Sequence, residues 1–114
     1  MPYELRSTSP TGRFEVRVIA WEARNSLWVE SPVIFDLIEN KILLRFGSEL
    51  WSLDESEWKS DFVVRLVLRK FPGDHTPVQL EVLADIQNQT GSVQSLPAVP
   101  FEHLEQAMEH QLVW

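Results

Sequence analysis

Phe62-Val63-Val64-Arg65-Leu66-Val67-Leu68-Arg69-Lys70-Phe71 is the stretch that decides the fold. Phe62, Val64, Leu66 and Leu68 fall on one face, and Arg65 and Arg69 on the other. A period of two is that of a strand with one face buried. The loop Phe71-Pro72-Gly73-Asp74-His75-Thr76-Pro77 follows, and the alternation resumes from Val78 to Gln87. There Val78, Leu80, Val82, Ala84 and Ile86 point inward, and Glu81 and Asp85 outward. Pairing the two strands with residue numbers summing to 150 sets Arg69 opposite Glu81 and Arg65 opposite Asp85. Opposite charges facing across a strand pair contribute about 0.2–1 kcal/mol each. An even sum also keeps both apolar faces on one side of the sheet.

Working outward, most of the chain repeats this pattern. Tyr3 and Leu5 alternate with Glu4 and Arg6. Ser9-Pro10-Thr11-Gly12 is placed as a turn. Phe14, Val16, Val18 and Ala20 then oppose Glu15, Arg17, Ile19 and Trp21, so the two runs form a hairpin. A polar break spans 22–26, and the run Leu27 to Glu30 stops at Ser31-Pro32, because proline brings no backbone donor. Val33–Ile38 and Ile42–Phe46 flank a hairpin turn at 39–41. Around Trp51 the pattern predicts a short strand, followed by an acidic turn at 54–57 with room for one turn of helix. After a turn at 88–91, Ser92 to Leu96 reads as a last short strand.

Beyond Pro100 the period changes. Phe101, Leu104, Met108 and Leu112 are spaced three, four and four, which predicts a helix with one apolar face. Proline suits a first helical turn. Residues 1–114 therefore read as a single all-β domain, mainly antiparallel. The expected architecture is a sandwich or partly open barrel of about seven or eight strands with one C-terminal helix. Val63, Val67, Leu83, Ile19 and Trp21 make the outward faces more apolar than solvent favours. The helix is expected to cover them.

Composition narrows the function classes. The chain has 114 residues, no cysteine and a net charge of −7. Disulfides, cysteine-ligated zinc, iron–sulfur clusters and thiol catalysis are excluded. A general nucleic-acid surface needs an excess of Lys and Arg that is missing here. The N-terminus has no signal-peptide pattern, and no stretch has the roughly 20 apolar residues of a membrane helix. The expectation is a cytoplasmic protein, off the membrane, monomeric or homodimeric, with no cofactor and no metal. Charge is unevenly spread. Ten cations and eleven carboxylates precede or include Lys70; six carboxylates and no cation follow it.

Three constellations merit weighing. His103 and His110 lie two helical turns, about 10 Å, apart and cannot share a metal. His75 beside Asp74 has no nucleophile in a recognisable context, so a solvated loop accounts for it. Trp51, Asp54, Glu55, Glu57 and Trp58, with Asp61 nearby, combine carboxylates and aromatic rings, as sugar sites do, without the glycine a calcium loop requires. Among the five tryptophans, Trp21 and Trp114 are the candidates for positions outside the core. The helix carries Glu102, Glu105 and Glu109 as an acidic face with no cation of its own.

The sequence thus favours an acidic, non-catalytic binding module that meets a basic protein partner. Adaptors act in this way, as do immunity-type inhibitors that block a basic protein. The alternatives are a carbohydrate or small-ligand binder built on Trp51 and Trp58, and a small enzyme using carboxylate chemistry.

Overall fold

Two antiparallel sheets face each other in a computed structural model that describes residues 3–24 and 27–114. The first sheet holds β1 (Glu4–Thr8), β2 (Phe14–Arg24), β3 (Leu27–Asp36) and β4 (Lys41–Arg45) in sequence order. The second holds β5 (Trp51–Trp58), β6 (Val63–Lys70), β7 (Leu80–Asp85), β8 (Thr90–Val93) and the two-residue β9 (Val99–Pro100), also in order. Helix α1 (Phe101–Glu109) follows. The chain is the antiparallel β-sandwich with a C-terminal helix that the alternation implied. No helix among the described residues is long and apolar enough to cross a membrane.

Between the sheets lies one core. Phe14, Val16, Val18, Ile34 and Leu44 enter it from the first sheet. Trp51, Leu53, Val64, Leu66, Leu68, Leu80, Val82 and Ala84 enter from the second. Phe62 and Val78 do not join them: Phe62 sits at the rim against Phe14, and Val78 lies on the surface before β7 begins.

The β6–β7 register differs from the charge-pairing expectation. Val63 pairs with Asp85 and Leu68 with Leu80, so the residue numbers sum to 148. Parity is kept, and with it the buried face. Arg65 now lies opposite Leu83 and reaches diagonally to Glu81, with Nε donating to a carboxylate oxygen at 2.6 Å. Arg69 turns to the other neighbour and meets Asp54 at 3.2 Å. A shift of two residues costs only the directly facing ion pairs, and long arginine side chains recover them diagonally.

Two stretches read as interruptions are continuous strand. Pro32 sits inside β3, one residue beyond the last β4 pair, Val33 with Arg45. On that side β3 has no ladder partner at Pro32, so the missing donor costs nothing. Glu30, pointing the same way two residues earlier, donates its N–H to Ser52 Oγ instead. The segment 54–57 is neither a turn nor a helical turn but part of β5. A bulge between Leu53 and Glu55 resets the phase, so Asp54, Glu55 and Glu57 stay out and Trp58 returns toward the core. The polar break read at 22–26 lies partly outside the described residues; β2 itself runs through Arg24.

Helix α1 lies on the inner side of the second sheet, not on an outer face. Leu104, Met108 and Leu112 belong to the same core cluster as Val64 and Leu80. Gly91, beside Ala84 on β8, makes room for it: a Cβ there would meet the Leu104 methyls at 2.8 Å. The outer apolar residues do without the helix. Val67 is only 6% exposed, set between Glu55 and Glu81 on its neighbouring strands, while Leu83 stays exposed.

Candidate functional site

β5 places the expected ligand residues, but not as an open platform. Trp51 is fully buried, its ring under Lys70 Nζ and its Nε1 donating to Glu105 at 3.1 Å. Trp58 stacks on Phe14 and donates its Nε1–H to Ser7 Oγ at 3.0 Å. Both rings have their polar edge satisfied and their faces packed. The carboxylates between them point away from the core into a band of cations. Asp54 meets Arg69 and the Gln79 amide; Glu55 and Glu57 meet Arg65 at 3.3 and 3.8 Å; Glu57 also meets Lys59 at 2.9 Å. Lys59 first, and Arg65 after it, hold the Glu57 carboxyl below its usual range. Hydrogen bonds from the Thr11 hydroxyl and backbone do the same for Asp61. For Glu57 and Asp61 this is the opposite of the shift a general acid needs. Asp54 and Glu55 tie β5 to Arg69 and Arg65 of β6.

The helix glutamates also divide. Glu102 stands in solvent, 3.8 Å from His103. Glu105 accepts the backbone N–H groups of Gly47 and Ser48 at 2.8 and 3.0 Å, besides the Trp51 indole. Glu109 binds Lys70 of β6, so the acidic helix does have a compensating cation. Glu105 therefore pins the β4–β5 connection to the helix. Glu105→Ala is expected to destabilise the fold by about 2–4 kcal/mol, because three donors lose a charged acceptor and one belongs to a buried ring. Chemical denaturation measures it; an unchanged midpoint would remove this role.

His75 is not solvated. It is 4% exposed, with Nε2 accepting the Lys70 N–H at 3.0 Å and Nδ1 donating to the Pro77 carbonyl at 2.7 Å. Trp114 meets the ring edge-on at 5.1 Å. Its work is to fold the 71–77 loop back on the end of β6. His103 and His110 are exposed, as their helical face implied.

At this same end the sandwich presents a surface that the sequence reading passed over. The β2–β3 hairpin, the β4–β5 connection and the β6–β7 loop converge there. Trp28 is 62% exposed and Leu27 49%, and they stand beside Phe71 and Pro72. Two adjoining depressions share Leu27, Phe71 and Pro72; one also takes in Trp28, the other Leu50. Their volumes are about 110 and 480 Å³. Arg24 and Asp74 edge the larger one, Arg69 and Lys70 the smaller. The signal available in sequence was the pairing of Leu27-Trp28 with Phe71-Pro72-Gly73 at two loop ends, which becomes informative only once the topology makes them neighbours. Of the tryptophans singled out from sequence, Trp114 is exposed at 59%, whereas Trp21 is half-buried.

Comparison with known proteins finds no matching family model, no similar curated protein and no similar solved structure.

Proposed function

We propose that the protein is a non-catalytic interaction module that anchors a basic protein partner on the Trp28 end of the sandwich. The observation that carries this reading is the exposed Leu27–Trp28 pair beside Phe71 and Pro72. Apolar side chains in contiguous exposed patches mark interaction sites, and tryptophan is the residue most enriched at their energetic centres. Locally the rim carries both signs, Arg24 and Arg69 against Asp74 and Asp54. The long-range field is negative, because the chain as a whole carries −7. The patch supplies the anchor, and the field speeds encounter with a basic partner. The acidic face first read on the helix contributes mainly Glu102, since Glu105 and Glu109 are engaged within the domain.

The test compares capture from the native source by the intact chain and by Trp28→Ser, with Glu55→Gln as a surface control. Trp28→Ser is expected to weaken the captured complex by about 2 kcal/mol or more, roughly thirtyfold. Its stability should stay within about 0.5 kcal/mol, as for other exposed positions. The association rate should fall as salt rises. Equal recovery by the intact chain and Trp28→Ser would exclude this surface. An acidic partner, or a rate indifferent to salt, would exclude the basic-partner reading.

A further inference from the structure

We propose that a cleft on the outer face of the first sheet binds a small aromatic monocarboxylate. The cleft is separate from the Trp28 end and shares no lining residue with it. Ile19 and Val33 form its floor, Tyr3, Trp21 and Phe46 supply aromatic wall, and Arg45 and Glu49 stand at its rim. Its volume is about 180 Å³. An apolar cavity of about 150 Å³ accepts a benzene ring. A single ring with a short side arm therefore matches the space.

Three features set the chemistry. First, the polar edge of Trp21 is already used: Nε1 donates to Ser31 Oγ at 3.1 Å, and that hydroxyl donates to the Glu49 carbonyl at 2.7 Å. The indole is locked and offers the cleft apolar ring surface. Second, the register puts Arg45 directly opposite Val33, on the outer side, so its guanidinium rises from beside the apolar floor. Arg6, Arg13, Arg17, Arg65 and Arg69 each hold a carboxylate; Arg45 holds none among the described residues. A planar guanidinium that no carboxylate among the described residues holds in an ion pair, next to an apolar pocket, complements a carboxylate carried on an apolar body. Third, the Glu49 carboxylate at the rim repels further negative charge, which selects a monocarboxylate over a dianion such as a phosphate monoester.

The experiment is a ¹H–¹⁵N NMR titration of the full chain with 3-phenylpropionate, and with 3-phenylpropanamide as the neutral isostere. The Trp21 indole N–H and the amides of Val33 and Phe46 should shift with the carboxylate. Arg45→Gln should weaken phenylpropionate about tenfold and leave the amide unchanged, while Glu49→Gln should tighten phenylpropionate severalfold. Arg24→Gln, at the other surface, should change nothing. All three substituted positions are exposed, so folding is preserved, and the spectra report it directly. Equal affinity for acid and amide would reveal non-specific apolar binding and overturn the proposal. So would shifts confined to the Trp28 end, no shift at saturating probe, or indifference to Arg45→Gln.

Discussion

Leu104→Asp is expected to unfold the entire domain, with the near-ultraviolet tryptophan signal and the far-ultraviolet strand signal lost together at 25 °C. Leu104 is fully buried and its methyls fill the space that Gly91 leaves on β8. An aspartate there would place an ionised group against Gly91, inside the apolar cluster that also holds Ala84, Val93 and Met108. An unpaired buried charge costs more than about 4–5 kcal/mol, against a total stability of about 5–15 kcal/mol for a domain of this size. Leu104→Ala separates the causes. It removes apolar volume without adding charge, costs about 2–5 kcal/mol, and should leave a folded but less stable protein. If α1 were a detachable cover on an outer face, Leu104→Asp would release the helix and spare the sandwich. A cooperative melt at the wild-type temperature would therefore reject the inner placement.

That inner placement explains how far the sequence could be read. The helix and its apolar stripe were legible, because Phe101, Leu104, Met108 and Leu112 repeat at helical spacing whatever they pack against. The surface that receives the stripe was not. Outward Val63, Val67 and Leu83 looked like a face in need of a cover, but within the sheet Val67 is already buried, Val63 is half-buried and only Leu83 is exposed. Gly91 gave the true answer, a strand residue without a side chain beside a helix with a leucine to spare, and that match exists only in three dimensions. Strand identity was likewise legible from alternation. Register was not, since pairings two residues apart bury the same face and differ only in ion pairs that long side chains can remake.

The candidate surfaces follow the same logic. Trp51 and Trp58 attracted notice because carboxylates surround them in sequence. In the fold those carboxylates belong to the outer side of β5 and the rings to its inner side. Alternation separates in space what is adjacent in the chain. Trp28 shows the converse: its neighbours Phe71 and Pro72 are distant in sequence and meet it only because the β2–β3 and β6–β7 connections end at one side of the sandwich. A binding surface assembled from loops leaves no periodic trace.

At the opposite end of β3, Asp36 should be the main source of acid sensitivity. It is 2% exposed, and its carboxylate accepts Arg13 Nε and Nη2 at 3.2 and 3.1 Å and the N–H groups of Ile38 and Glu39 at 3.0 and 3.2 Å. Arg13 first, then the two backbone donors, lower its pKa against the opposing effect of burial. A carboxyl whose folded pKa lies below its unfolded value stabilises the protein above about pH 4, and that stabilisation fades as pH falls through the folded value. Asp36→Ala leaves Arg13 and two turn donors without their acceptor, at a cost of about 3–5 kcal/mol near neutrality. Asp36→Asn keeps one acceptor oxygen and should cost less. The sign of the pH effect is the sharper prediction. The stability gap between the intact chain and Asp36→Asn should be constant from about pH 5 to 7 and shrink below about pH 4, where the unfolded chain takes up the proton before the native carboxyl does. Urea denaturation at a series of pH values measures that gap. A gap that stays constant to the lowest pH would show that folding does not lower the pKa of Asp36, and a gap that widens would reverse the assignment.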